Sequence, residues 1–203
     1  MKKLFLSSSF DDVAHRLPAF IGDKLAGKVV SFIPTANVPQ DYDGYVVSAR
    51  AAFEALGLII DELEVSTASA SDIQSKLTQN DYIYVSGGNS FFLLQELKRT
   101  GADQLIIDQV NQGKLHIGES AGSIITSPDI AYISAMDSTK KAPELTSTQG
   151  LHLVEFYTLP HATNEPFEDD AQEIIAAYGD KIKLNPISND QVILVLGDSI
   201  HVS

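Results

Sequence analysis

Short apolar segments alternate along this chain with longer amphipathic segments, and this alternation limits the fold more than any other feature. The predicted strands are Lys3–Leu6, Val29–Ile33, Leu58–Leu63, Tyr82–Val85, Leu115–Ile117, Leu151–Tyr157 and Val192–Leu196. The predicted helices are Asp43–Leu56, Ser71–Gln79, Phe91–Arg99, Ala102–Gln112 and Asp169–Tyr178. Runs such as "KVVSFIP" and "DYIYVSGG" are apolar on both faces, as strands covered by helices on both sides must be. The pattern predicts an α/β fold with a parallel sheet and crossover helices.

Length and charge narrow the class of protein. A chain of 203 residues predicts one domain over residues 1–203, and the absence of cysteine excludes disulfides and thiolate chemistry. The formal net charge of −13 would repel nucleic acid and anionic lipid, so we expect neither as a partner. The start, "MKKLFLSSSF", has too short an apolar run for a signal peptide, and we expect a cytoplasmic protein.

One serine lies in the pattern of a nucleophile elbow, Gly118-Glu119-Ser120-Ala121-Gly122. In such an elbow a strand turns sharply into a helix, and small flanking residues avoid a clash in the tight turn. "KLHI" before the pattern is a plausible buried strand, and "AGSIITS" after it can begin a helix. Ser120 is therefore either a nucleophile or a serine in a turn that lets a helix pack close to the sheet.

A second glycine turn, Ser86-Gly87-Gly88-Asn89-Ser90, follows the strand Tyr82–Val85 and precedes a helix. Glycines at the carboxyl end of a strand allow backbone N–H groups to point at an anion or a developing oxyanion. The turn matches neither the dinucleotide fingerprint nor a phosphate-binding loop, and we expect no cofactor. Taken alone, it is equally consistent with a tight strand-to-helix connection.

A serine nucleophile needs a base, and His161 is the best-placed histidine. It follows an apolar strand in "YTLPHATNEPF", again at a carboxyl-terminal strand position. The polar stretch 134–150 is expected to be a surface loop or flap near the site. No histidine pair has metal-ligand spacing, and the acidic cluster Glu165–Asp170 is expected to begin a helix, so we expect no metal site.

Four segments together resemble the peptidase E family of serine dipeptidases, which cleave after an N-terminal aspartate and have cyanophycinases as relatives. The segments are "FIPTA" (32–36), "VSGGNSFFLLQEL" (85–97), "GESAGS" (118–123) and "LPHATN" (159–164). Their order and spacing match over nearly the whole chain. The resemblance implies a three-layer, flavodoxin-like fold similar to class I glutamine amidotransferases, with helices on both faces of a mostly parallel sheet.

The resemblance also implies roles for particular residues. Ser120 resembles the family's nucleophile and His161 its general base. Gly88 and Ala121 would supply the backbone N–H groups of an oxyanion hole. Gly87, Asn89 and Glu119 would line the substrate side of that turn, and Glu119 stands where the family often has a tryptophan.

The resemblance leaves two positions open for the acid that orients His161. One is Asp137 in "SAMDST", which we favour, and the other is "PISNDQVILV", where Asn189 or Asp190 would stand at or beside the acid. No arginine follows Arg99, although an aspartate-binding pocket is best served by a bidentate arginine. Lys140 and Lys141 are the nearest basic candidates, so strict Asp-X specificity is not expected.

The leading hypothesis is a serine peptidase acting on short peptides, as a monomer or a small homo-oligomer. Two alternatives stay open: a catalytically weak binding module of the same fold, and an esterase or amidase for small non-peptide acyl groups. Ser120-dependent hydrolysis would exclude the binding module, and a comparison of p-nitrophenyl esters with dipeptides would separate the esterase from the peptidase.

Overall fold

The computed structural model describes residues 1–203 and contains nine strands. They are β1 (Lys3–Ser7), β2 (Val29–Ile33), β3 (Ile59–Glu62), β4 (Tyr82–Val85), β5 (Leu115–Glu119), β6 (Tyr157–Leu159), β7 (Leu184–Pro186), β8 (Val192–Leu196) and β9 (Ser199–Val202). Seven of them form one sheet in the order β3-β2-β4-β5-β1-β8-β9, and β6 and β7 form a small separate pair.

The α-helices lie mainly between these strands. They are α1 (Phe10–Val13), α2 (Leu17–Ile21), α3 (Gly44–Ala55), α4 (Ala70–Gln79), α5 (Ser90–Thr100), α6 (Ala102–Asn111), α7 (Ala121–Ile124) and α8 (Glu168–Tyr178). Short 3₁₀ turns occupy Ala14–Arg16, Thr35–Asn37, Ala131–Ala135 and Thr139–Lys141. None of these helices is both long enough and apolar enough to cross a membrane.

The sheet is mostly parallel, and this confirms the predicted α/β, flavodoxin-like class. Strands β3, β2, β4, β5 and β1 pair in parallel, whereas β8 runs antiparallel to β1 and β9 antiparallel to β8. The carboxyl ends of β1, β4 and β5 therefore meet at one edge of the sheet. In open α/β sheets this edge is where binding crevices form.

Side chains that alternate along the strands supply two apolar layers, one on each face of the sheet. Leu4 and Leu6 of β1 belong to a cluster of 24 buried residues, while Phe5 between them belongs to a second cluster of 17. The first cluster includes side chains of α4, α5 and α6, and the second includes side chains of α1 and α3. Burial on both faces explains why the strand sequences are continuously apolar.

The predicted strand Leu151–Tyr157 is wrong over most of its length, because only Tyr157–Leu159 forms a strand. Leu151 and Leu153 are buried, as their apolar character requires. Their backbone N–H groups, however, donate to the carbonyl oxygens of Ile125 and Thr126, just after α7, at 2.7 and 2.9 Å. The segment is held by the end of a helix and not by a neighbouring strand.

The polar stretch 134–150 is mostly irregular, as predicted for a loop, and contains the turn Thr139–Lys141. Strands β7 and β9 are absent from the sequence-based prediction. β7 is a short strand within a polar region, and β9 is exposed along its whole length. Neither strand carries the buried apolar pattern that identifies strands in a sequence.

We predict that Gly122→Ala lowers the free energy of unfolding by about 2–3 kcal/mol, because an added methyl overpacks a rigid contact. A Cβ on Gly122 would lie 2.0 Å from the carbonyl oxygen of Val85. Gly44→Ala is the matched control, since its Cβ meets only the exposed side chain of Tyr42. Urea denaturation measures both variants, and equal stability of Gly122→Ala and the wild type would contradict the prediction.

Candidate active site

Ser120 lies at the apex of the turn between β5 and α7, in a strained backbone conformation. Its φ is 46° and its ψ is −105°, a region that costs a non-glycine residue on the order of 1–3 kcal/mol. Its N–H donates to the carbonyl of Ser7 at 2.9 Å, and its own carbonyl accepts from Ser123 and Ile124 at the start of α7. This is the strand–turn–helix geometry of a nucleophile elbow.

The structure brings His161 to the hydroxyl of Ser120. The distance from His161 Nε2 to Ser120 Oγ is 3.1 Å. His161 follows β6, has a positive φ of 58°, and donates its backbone N–H to Ser8 Oγ at 3.0 Å. The Phe167 ring lies against the imidazole with a centroid separation of 5.0 Å. The imidazole is therefore held by contacts on several sides.

The other ring nitrogen of His161 contacts an amide and not a carboxylate. Asn189 Oδ1 lies 2.7 Å from His161 Nδ1. An amide oxygen only accepts, so Nδ1 carries the proton and the lone pair of Nε2 faces Ser120. Asn164 supports the pair, because its Oδ1 accepts from the N–H of Asn189 at 2.9 Å and its N–H donates to the carbonyl of His161.

The structure thus corrects the prediction of Asp137, or alternatively Asp190, as the acid beside His161. Asp137 Oδ2 accepts instead from the N–H of Ser90 at 2.8 Å, in the first turn of α5, where a helix attracts negative charge. Asp190 is exposed, and its carboxylate accepts from Ser188 Oγ. Neither carboxylate forms a hydrogen bond with His161.

The glycine turn after β4 packs directly against the elbow. A Cβ added to Gly87 would lie 3.4 Å from Cβ of Ser120. Gly88 has φ 134°, and a Cβ there would lie 2.1 Å from the carbonyl oxygen of Ala36, so only glycine fits. The N–H groups of Gly88 and Ala121 make no hydrogen bond within the chain, which leaves them available to an oxyanion.

The other two residues predicted on the substrate side, Asn89 and Glu119, are already engaged within the protein. Asn89 caps α5 by accepting from the N–H of Phe92 at 2.9 Å, and its amide nitrogen donates to the carbonyl of Ser138. The carboxylate of Glu119 accepts from the N–H of Phe10 at 2.8 Å and from the hydroxyl of Tyr84. Both residues border the cavity, but their polar atoms face other protein groups.

These residues border a cavity of about 630 Å³, within the size range of small-molecule sites. Its other borders are Ser8 and Ser9 after β1, the 40–45 segment, part of the 136–141 loop, Phe167 and Asn189. Lys141 is the one lysine at the cavity, and no arginine borders it. The Lys141 ammonium donates to the carbonyl of Pro39 at 2.8 Å, which joins the two loops across the opening.

Burial shifts the pKa values of the acidic and basic groups here. Desolvation raises the pKa of Glu119 to about 7, against the effect of its hydrogen-bond donors, and raises that of Asp137 to about 6. Desolvation also lowers the pKa of His161, and its hydrogen bond to Asn189 partly offsets this. The net shift favours the neutral imidazole, which is the form that a general base requires.

Ser8 and Asn164 are not among the residues predicted for the site, and Asn189 appears there only as a residue at or beside the acid. The sequence carries a signal for Ser8 and Asn164: Ser8 directly follows β1 at the carboxyl edge, and Asn164 lies inside "LPHATN". For Asn189 the sequence offered only an amide beside an acid, and chemical expectation favours the acid.

The fold and the site together define a class of protein: a flavodoxin-like α/β chain with a serine in the strand-to-helix turn at the carboxyl edge of its sheet. The sequence model of peptidase family S51 matches residues 4–203. The chain belongs to peptidase family S51, the family of peptidase E, and it is a peptidase.

Individual relatives agree with this assignment. The chain is 52% identical over 200 residues to the uncharacterized peptidase Lmo0363 of Listeria monocytogenes, covering 98% of this chain and 97% of the relative. It is 31% identical over 154 residues to peptidase E of Escherichia coli, covering 74% of this chain and 62% of that protein. The crystal structure of a candidate peptidase E protein from Listeria monocytogenes EGD-e superposes on this chain with a TM-score of 0.96 at 51% identity. The match covers 100% of this chain and 98% of that chain.

We predict that Glu119→Gln alters the pH dependence of stability. Folding raises the pKa of Glu119 from 4.5 to about 7, so its protonated form stabilises the fold below pH 4.5 and this contribution is lost as pH rises through 7. Relative to the variant, the wild type should lose about 3 kcal/mol of unfolding free energy between pH 4 and pH 8.

Denaturant unfolding at a series of pH values measures this difference, and comparison with the variant cancels the other titrating groups. Glu173→Gln on the exposed face of α8 is the control and should follow the wild type at every pH. A difference between wild type and Glu119→Gln that stays constant with pH would contradict the prediction.

Proposed function

We propose that this protein is a serine peptidase that hydrolyses short peptides through Ser120, His161 and Asn189. The observation that carries the proposal is the continuous contact from Ser120 Oγ to His161 Nε2 at 3.1 Å and from His161 Nδ1 to Asn189 Oδ1 at 2.7 Å. Family membership supports peptide hydrolysis, and the strained Ser120 turn supports a nucleophile at this position.

The proposed reaction has two halves. Ser120 Oγ attacks the peptide carbonyl while His161 Nε2 takes its proton, and the N–H groups of Gly88 and Ala121 stabilise the tetrahedral oxyanion. When the C–N bond breaks, His161 returns the proton to the departing amine and an acyl-serine ester remains. Water, deprotonated by His161, then attacks the ester. The C–Oγ bond breaks, the acid leaves, and His161 returns the proton to Ser120 Oγ.

Asn189 would hold the imidazole in the productive tautomer without adding charge. Asparagine plays the orienting part in papain-like enzymes, so an amide at this position is compatible with catalysis. It stabilises the imidazolium less than a carboxylate would, because it is neutral. This same observation favours the second candidate function, a binding module of the same fold with weak catalysis.

The first test is Ser120-dependent chemistry. Wild type should react with a fluorophosphonate probe and hydrolyse members of a dipeptide panel, and Ser120→Ala should lose both activities because the nucleophile is gone. Labelling is read by mass spectrometry at Ser120, and hydrolysis by amine release. Ligand-induced thermal stabilisation with no labelling and no turnover in the wild type would favour the binding module.

We predict that Asn189→Asp moves the acid limb of the pH profile of kcat/KM to higher pH. A carboxylate beside His161 favours the imidazolium and raises its pKa, so the base becomes available only at higher pH. Asn189→Ala should lower kcat at least about tenfold, because the tautomer is no longer held. The control is Asp190→Asn, which should keep the wild-type profile, because the Asp190 carboxylate accepts from Ser188 and forms no hydrogen bond with His161.

We predict that the peptidase does not require an N-terminal aspartate. The cavity is bordered by three carboxylates, those of Asp41, Glu119 and Asp137, and by the single ammonium of Lys141. An additional substrate carboxylate therefore gains only a partly exposed ion pair, worth about 1 kcal/mol or fivefold in kcat/KM. We expect Asp-Leu and Ala-Leu to differ by less than about tenfold in the wild type.

Lys141 is the source of any preference for an N-terminal aspartate, because it is the one cationic side chain at the cavity. Lys141→Met should lower kcat/KM for Asp-Leu about fivefold and leave Ala-Leu nearly unchanged. Lys140→Met is the matched control, since Lys140 does not border the cavity. A wild-type preference for Asp-Leu well above tenfold would refute the prediction, as would equal losses on both substrates in Lys141→Met.

A further inference from the structure

Glu119 is a buried carboxylate next to the nucleophile that the proposed mechanism does not use. It ends β5 and is only 2% exposed. β5 lies between β1 and β4, the strands whose carboxyl ends lead to the remaining parts of the site. The side chain is therefore in a position to connect those parts.

Each oxygen of Glu119 accepts a hydrogen bond from a different side of β5. Oε1 accepts from the backbone N–H of Phe10, at the start of α1, at 2.8 Å. Oε2 accepts from the hydroxyl of Tyr84 on β4. The carboxylate thus links the segment after β1 to the strand that leads into the glycine turn.

The Tyr84 hydroxyl has a fixed position because its ring is enclosed by aromatic side chains. Its ring centroid lies 5.5, 4.6 and 4.9 Å from those of Phe10, Phe32 and Phe53, and the residue is fully buried. A ring packed in this way cannot turn its hydroxyl to another partner without disturbing the core. The position of Glu119 is therefore tied to the position of β4.

The two linked segments carry the groups that must face Ser120. Ser8, in the segment that leads to Phe10, accepts the backbone N–H of His161. Gly88, whose free N–H would stabilise the oxyanion, follows β4. A displacement of about 1 Å in such groups can cost on the order of a hundredfold in rate.

We propose that Glu119 is a positioning residue: its two hydrogen bonds keep the Ser8–Phe10 segment and the Gly87–Gly88 turn correctly spaced on either side of Ser120. The proposal rests on the proposed function, since it concerns the reactivity of Ser120. It assigns to Glu119 a role in holding the site and not in contacting the substrate.

The test is the rate of Ser120 labelling by a fluorophosphonate probe, separated into the maximal rate and the half-saturating probe concentration. Glu119→Ala removes both acceptors and should lower the maximal rate about tenfold or more, with little change in the half-saturating concentration. Glu119→Gln should recover most of that loss. Its amide oxygen can accept from Phe10, and its nitrogen can donate to the Tyr84 oxygen.

The matched control is Ser31→Ala, which removes another buried polar bridge, between β2 and α4, at a residue that does not border the cavity. All rates are taken below the melting temperature and expressed per folded molecule. Labelling of Glu119→Ala as fast as that of Ser31→Ala would overturn the proposal. Labelling of Glu119→Gln as slow as Glu119→Ala would also overturn it, because charge and not hydrogen bonding would then be responsible.

Tyr84→Phe keeps the proposal testable if Glu119→Ala fails to fold, since it removes only one hydroxyl. We expect its maximal labelling rate to fall about threefold, and an unchanged rate would overturn the proposal. A wild type that the probe does not label would instead refute the proposed serine chemistry. Failure of the positioning role of Glu119 can therefore be distinguished from failure of the proposed serine peptidase function.

Discussion

The close packing of the Ser120 turn against the ends of β1 and β4 is the constraint on which the rest of the site depends. Gly122 leaves no room for a side chain beside the Val85 carbonyl, and the N–H of Ser120 donates to the carbonyl of Ser7. These contacts hold Ser120 in a conformation that an isolated peptide would rarely adopt. Because the packing of neighbouring elements compensates the strain, the half-buried hydroxyl stays at the carboxyl edge, where His161 reaches it.

The second feature of this molecule is the neutral partner of His161. Asn189 fixes the tautomer of the imidazole but leaves the site without a carboxylate at Nδ1. Two acids of the cavity form hydrogen bonds elsewhere: Asp137 accepts from the first turn of α5, and Glu119 accepts from Phe10 and Tyr84. Burial lowers the pKa of His161, and no carboxylate hydrogen-bonds to the ring to counter that effect. Both effects favour the neutral imidazole over the imidazolium.

Much of the fold could be predicted from the sequence because burial on both faces imposes a local pattern. A continuous apolar run and a helix that ends at glycine are both properties of a short segment. The apolar run is present in β1, β2, β4, β5 and β8. The pattern predicts a strand wrongly where a segment is buried but does not pair with a neighbouring strand. Leu151 and Leu153 are buried like strand residues, yet their N–H groups are satisfied by carbonyls at the end of a helix. An apolar sequence reports burial and cannot report which backbone group accepts the hydrogen bond.

By itself, the sequence determined the parallel α/β architecture, the serine turn and the histidine after a late strand, since each depends on residues adjacent in the chain. Only the tertiary structure decided the partner of His161. Asn189 and Asp190 are neighbours in sequence, but one side chain turns to the imidazole and the other to Ser188. Asp137, the favoured acid, is held by α5. These choices depend on distances between segments far apart in the chain, and local patterns carry no information about such distances.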